Sequence, residues 1–157
     1  MADSGAPKRP VRQTEKLLSA LQALNDNPLP FVRDLQLGFV DGVNELTGIL
    51  IGPNNSDYAG GHFRFSMRFP PQYPFNPPDF FIVTAICHPN VNSRFGTACL
   101  DALWSTYDPH MPLKVLLTEL HNLLAEPNYD VPVDNDILEK TREKAREWTQ
   151  SFAQPLQ

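Results

Sequence analysis

The residues best suited to chemistry sit in one run, CHPNVNSRFGTACLDALW, from Cys87 to Trp104, which holds both cysteines of the chain. Cysteine is the strongest side-chain nucleophile at neutral pH, because a small fraction is already thiolate. A protease built on Cys99 would need a histidine base beside it and an orienting group behind that base. His88, His110 and His121 are available, but the sequence places none of them next to Cys99. Asn90 offers a different partner, since a side-chain amide N–H can stabilise an oxyanion formed at a carbonyl attached to sulfur. A thiol with an amide donor and no obligatory base suits an acyl carrier. A thioester is already activated, so an amine needs only positioning and help in losing its proton. The bland readings are a buried, inert thiol and a simple turn at His88-Pro89-Asn90. Cys87 directly follows an apolar run and reads as core. Cys87, His88, Cys99 and His110 could in principle hold zinc, but the short C-x2-4-C knuckle is absent, so no metal is expected.

Such a thiol needs a scaffold. The 157 residues are 41% hydrophobic and 20% charged, enough for one core and short for two. A net charge of −5 disfavours nucleic acid and anionic membrane surfaces as partners. No apolar run approaches the roughly 18 residues that span a bilayer. The opening MADSGAPKRP lacks the apolar segment of a signal peptide, so a cytoplasmic or nuclear location is expected, with both cysteines as thiols.

The elements follow from periodicity. Residues 1–11 read as a flexible tail, 12–153 as the domain and 154–157 as a second tail. Leu17, Leu18, Leu21 and Leu24 make one helical stripe from Thr14 to the NDNPLP stop. Leu35, Leu37 and Phe39 alternate, Asp41-Gly42 turns the chain, and LTGILI (46–51) gives a second strand. Phe63, Phe65, Met67 and Phe69 alternate with polar residues in a third strand; PPQYPFNPP cannot pair, and DFFIVT (79–84) is a fourth. A leucine-rich helix opens at Pro112. A last helix runs from about Asp134 to Phe152, with Ile137, Ala145, Trp148 and Phe152 inward and surface pairs Glu139/Arg142 and Glu143/Arg146. The fold class is α+β: a four-stranded antiparallel meander sheet, an N-terminal helix and C-terminal helices packed around it. Ala85 to Pro112 remains a long irregular loop. It carries Val91, Phe95, Leu100, Leu103, Trp104 and Tyr107, which favour burial over disorder.

The order of GPNNSDYAGGHF, FPPQYPFNPPDF, HPNVNS, ACLD, KVLL and REKAREWTQSF closely resembles the catalytic domain of ubiquitin-conjugating enzymes, from about Gln13 to Phe152. The resemblance implies that Cys99 accepts ubiquitin as a thioester from an activating enzyme. Asn90 is then the oxyanion donor and a brace for the loop, with His88 and Pro89 supporting it. Asp101 is implied in handling the incoming lysine. Pro74, Phe75, Pro109 and His110 match the loops offered to RING or HECT ligases. Lys8, Arg9, Arg12 and Lys16 match the surface that docks the activating enzyme; on composition alone they are a solvated helix entry. Leu117 and His121 match the helix that supports bound ubiquitin. The implied partners are ubiquitin, its activating enzyme, a ligase and protein substrates, with a monomeric carrier. No cofactor is implied, since ATP is consumed by the activating enzyme.

Four departures stand out. Cys99 lies one position further from Asn90 than the family commonly places it, and a residue is missing again before KVLL. Val131 stands where an acid is frequent, a loss that either slows aminolysis or moves the role to Asp130. Leu46 replaces a common tryptophan, and the stretch from Pro132 to Trp148 is short. The alternatives are an inactive variant that serves as a binding partner, a carrier for another modifier such as SUMO or NEDD8, and a polyproline ligand at PPQYPFNPP.

Overall fold

In the computed structural model, which describes residues 8–133 and 141–155, a helix α1 (Val11–Asp26) leads into four strands. These are β1 (Val32–Val40), β2 (Val43–Ile51), β3 (His62–Phe69) and β4 (Asp79–Ile82), paired antiparallel in chain order. Three helices follow: α2 (Asp101–Thr106), α3 (Leu113–Ala125) and α4 (Thr141–Phe152). This is the α+β meander with flanking helices expected from the periodicity. No described helix is long and apolar enough to cross a membrane.

The β1–β2 hairpin turns on Asp41 and Gly42, whose φ values of 51° and 82° are what a tight two-residue turn requires. That turn sets Val40 opposite Val43, and the register then runs on to place Leu46 opposite Met67 and Leu50 opposite Phe63. Leu46, Leu50, Phe63, Phe65, Met67 and Phe69 all lie in the core. Gly48, paired with Phe65, makes room for that ring: a Cβ there would lie 2.9 Å from it. Leu113, Leu116, Leu117, Leu120 and Leu124 are the buried side of α3 and belong to the same core cluster.

The structure corrects several expectations. Helix α1 starts at Val11, not Thr14, and its stripe is narrower, since Leu17 and Leu24 are buried while Leu18 is exposed. Strand β4 stops at Ile82. The segment from Ala85 to Pro112 is not wholly irregular, because α2 lies within it. In that segment Val91, Leu100 and Leu103 are buried, but Phe95 and Trp104 face solvent. On α4, Ala145 is buried and Phe152 exposed; Ile137 and Glu139 lie outside the described residues. Arg146 does not serve a pair with Glu143. Together with Arg142 it grips Asp57, at 2.8 and 3.0 Å, tying α4 to the loop between β2 and β3.

Candidate active site

The HPN segment is held by a chain of bonds that leaves little play. His88 is buried, and its Nε2 lies 2.7 Å from the Leu123 carbonyl at the end of α3. The Asn90 amide N–H donates to His88 Nδ1 at 2.9 Å. A ring that accepts at Nδ1 must carry its proton on Nε2, so this histidine is neutral in its Nε2–H form. Burial, which outweighs the bond to Leu123, pushes its pKa down to about 4. Tyr58 stacks on the imidazole at 5.2 Å between centroids, and its hydroxyl donates to the Cys87 carbonyl at 2.8 Å.

Asn90 is buried and spends its whole amide on the segment after α3. Nδ2 donates to the carbonyls of Asn128 (2.8 Å) and Val131 (3.2 Å), and Oδ1 accepts the Asn128 N–H (2.8 Å). The Pro89 carbonyl accepts the Val133 N–H at 2.8 Å, a further tie between the same two segments. Both amide protons are therefore engaged, and an oxyanion would have to displace one carbonyl. The Val131 carbonyl, at the longer distance and on an exposed residue, is the weaker holder.

Asn90 and Cys99 are the two ends of a small hairpin. Val91 pairs with Ala98, and the Cys99 N–H donates to the Asn90 carbonyl at 2.8 Å. Between them the chain turns through Asn92, whose Oδ1 accepts the N–H groups of Arg94 and Phe95, and through Gly96 at φ 73°. Phe95 is exposed at this tip, while the bond to Asn90 ties Cys99 to the other arm of the hairpin. The hairpin also extends the sheet edge: the Ile82 N–H donates to Gly96 and the Ala98 N–H to Phe80.

The two thiols differ sharply. Cys87 is 3% exposed, and burial, only partly opposed by Lys144, pushes its pKa up. Cys99 is half-buried and lines a cleft of about 150 Å³ with Asn90, Leu100, Leu103, Asn128, the α3 residues Glu119, Asn122 and Leu123, and Glu126 just past the helix end. Neither cysteine is in a disulfide. Asp130 is exposed and does not line the cleft; Asp101 opens α2, with its side chain outside the described set.

The remaining candidates divide. Arg12, Lys16, Pro74, Phe75 and Pro109 line one groove of about 660 Å³ between α1 and the two proline-bearing loops, which Tyr107 joins by donating to the Pro74 carbonyl. Lys8 is exposed. Arg9 instead bonds Asn44 Oδ1 at 2.8 Å and lies over Phe39, pinning the chain before α1. His110 stands outside the groove against Asp108, whose carboxyl is held low by the His110 backbone N–H and then by its ring. Leu117 is a correction: it is fully buried and presents nothing to a partner. His121 is half-buried and stacked on Phe31 at 3.9 Å. Burial, more than a bond to the Ile51 backbone can offset, lowers its pKa. The polar face of α3 that shares the cleft with the thiol is that of Glu119 and Asn122, with Glu126 just past the helix end; the leucine pattern could have revealed it as its polar complement.

A model of the ubiquitin-conjugating enzyme family matches residues 17–155. The chain belongs to that family. Ubiquitin-conjugating enzyme E2 N of Drosophila melanogaster is 32% identical over 157 residues, covering 96% of this chain and 97% of its own. Among solved structures, the E2 domain of a Toxoplasma gondii ubiquitin conjugating enzyme superposes with a TM-score of 0.75 at 29% identity, over 91% of this chain and all of its own. A Plasmodium yoelii protein described as a ubiquitin conjugating enzyme gives 0.79 at 27% identity, over 99% of this chain and 100% of its own. Within the family's fold, the HPN segment, its Cys99-bearing hairpin and the loop after α3 form one hydrogen-bonded unit.

Proposed function

We propose that this chain is an active ubiquitin-conjugating enzyme with Cys99 as its carrier thiol. The observation that supports this most is a half-buried Cys99 thiol in a cleft, on a residue whose backbone N–H is bonded to the Asn90 carbonyl, while the other thiol is sealed in the core. In the first step the Cys99 thiolate attacks the thioester carbonyl on the activating enzyme, whose own thiolate leaves. In the second a substrate lysine attacks the new thioester, the C–S bond breaks, and Cys99 departs as thiolate. The lysine's proton passes to solvent or to a nearby carboxylate, for which Asp130 and Asp101 are the candidates. As the tetrahedral oxyanion forms, Asn90 Nδ2 exchanges the Val131 carbonyl for it, so the brace becomes the donor. Ubiquitin, the activating enzyme and a RING or HECT ligase are the proposed partners. Arg12 and Lys16 share a groove with Pro74, Phe75 and Pro109, so the two enzymes would compete for it. The proposed location is cytoplasmic or nuclear.

A second reading is a binding variant of the same fold, favoured by the full occupation of the Asn90 amide and by Val131 in place of an acid. A charging assay decides between them. The chain is mixed with activating enzyme, ATP and ubiquitin, with the SUMO and NEDD8 systems run alongside. A reductant-sensitive adduct lost in Cys99→Ala and kept in Cys87→Ser is the expected result, and silence in all three systems sinks the proposal.

A further inference from the structure

The inward face of β2 carries Asn44, Leu46, Gly48 and Leu50, and Asn44 stands between Phe39 on β1 and Phe69 on β3 in that otherwise apolar row. It is 0% exposed, so its side-chain amide must be satisfied from within. Among the described residues, its partners all come from the entry of α1. Oδ1 accepts from Arg9 Nε at 2.8 Å, and Nδ2 donates to Gln13 Oε1 at 2.8 Å and to Thr14 Oγ1 at 3.1 Å. The Thr14 hydroxyl gives its own proton to the Pro10 carbonyl. Helix α1 begins with no side-chain cap and no acid in its first turn. Its start is anchored to the sheet through Asn44 instead of by a local cap.

These bonds have a direction. Because Asn44 presents N–H to Gln13, Gln13 must answer with Oε1, and its Nε2 is then free to donate to the Pro70 carbonyl, at 2.9 Å. Pro70 follows β3 and opens the proline loop, so the relay from Asn44 through Gln13 ties α1 to that loop. The two are walls of the groove of about 660 Å³, with Arg12 and Lys16 on one and Pro74 and Phe75 on the other. We infer that Asn44 is a positioning residue for docking: through Gln13 it fixes the spacing of the α1 cations from the proline loop, and with it the affinity of the activating enzyme for this groove. This deepens the thioester reading and rests on it, with that enzyme as the groove's occupant. Asn44 itself is sealed beneath the helix and touches no partner. With an acceptor in place of Nδ2, Gln13 would have to turn its own N–H inward and set Oε1 against the Pro70 carbonyl, which breaks the relay.

The test follows charging of the full chain by activating enzyme, ATP and ubiquitin at rising chain concentration. In parallel, a short peptide thioester ending in Gly-Gly loads Cys99 directly: Sγ attacks the carbonyl and the small thiol leaves. Asn44→Leu, of similar volume and without polar atoms, is expected to raise the KM for the chain about fivefold, the worth of one hydrogen bond, at unchanged kcat. Direct loading should stay as in the native chain. Gln13→Met should raise KM to the same extent and the double variant no further, since both break one relay. Where Asn44→Leu does not fold, Asn44→Asp keeps the shape and reverses the polarity, with the same split expected. An unchanged KM in the folded variants overturns the inference, and so does an equal loss in direct loading, which marks a merely structural role. Single effects that multiply in the double variant also overturn it, by making Gln13 a contact of its own. If the native chain loads from the peptide but not from the activating enzyme, the docking assignment falls and takes the inference with it. If it loads from neither, the thioester reading itself falls.

Discussion

Replacing Asn90 by alanine removes three hydrogen bonds at a residue only 4% exposed. Each is worth about 1 kcal/mol net. The partners lie on Asn128 and Val131, both exposed, so water can take over part of what is lost. The expected cost is therefore about 2 kcal/mol rather than the full sum. With a urea m-value of about 2 kcal/mol/M, the unfolding midpoint should fall by about 1 M. Asn90→Asp should be worse at neutral pH, because a carboxylate oxygen would then face the Asn128 and Val131 carbonyls. Acid should restore part of that loss by returning one donor, so Asn90→Asp, unlike Asn90→Ala, should gain stability relative to the native chain as pH falls. The assay is urea unfolding followed by circular dichroism, with single-turnover discharge of the Cys99 thioester in parallel. If the midpoint of Asn90→Ala matches the native value, the brace argument is wrong, and any slowed discharge would belong to the oxyanion role alone.

Two further outcomes can be checked the same way. His88 is neutral in the fold with a pKa of about 4, against a usual value of 6.5. The unfolded chain therefore takes up the extra proton between those values, and stability should fall by about 3 kcal/mol as pH drops through that window, then level off; His88→Gln should flatten the profile. Burial pushes the Asp57 carboxyl up, but Arg142 and Arg146 outweigh it and hold the group lower overall. Its contribution is thus present above the usual carboxylate range and lost as pH falls through the lowered value. Asp57→Asn should cost about 1 kcal/mol, since both guanidiniums are largely solvated. It should also speed hydrogen exchange in α4 while leaving the sheet amides unchanged.

Much of the scaffold was legible because its signals are local. Alternation of Phe63, Phe65, Met67 and Phe69 against polar neighbours is a two-residue period that only a half-buried strand satisfies, and Asp41-Gly42 is a turn by its own backbone preference. The strong leucine face of α3 was equally plain, yet Leu117 was misplaced on a binding surface. Family resemblance supplied its role there, whereas the helix phase sets it among Leu113, Leu116, Leu120 and Leu124. Leu18, Phe95, Trp104 and Phe152 show the converse, since apolar side chains at the edge of a stripe or the tip of a hairpin need not find cover.

By itself, the sequence determined the sheet, its order and the presence of a nucleophile beside an amide, because residue type and short-range period are enough for those. Its place after an apolar run already marked Cys87 as core; tertiary structure decided that Cys99 opens onto a cleft. It also decided that Cys99 and Asn90 stand side by side, because the Cys99 N–H is bonded to the Asn90 carbonyl on the other arm of a hairpin. The embrace of Asn90 by residues 128–131 and the sharing of one cleft by Cys99, Glu119 and Glu126 belong to the same class. They join residues far apart in the chain through single hydrogen bonds and shared walls, and no local pattern encodes such distances.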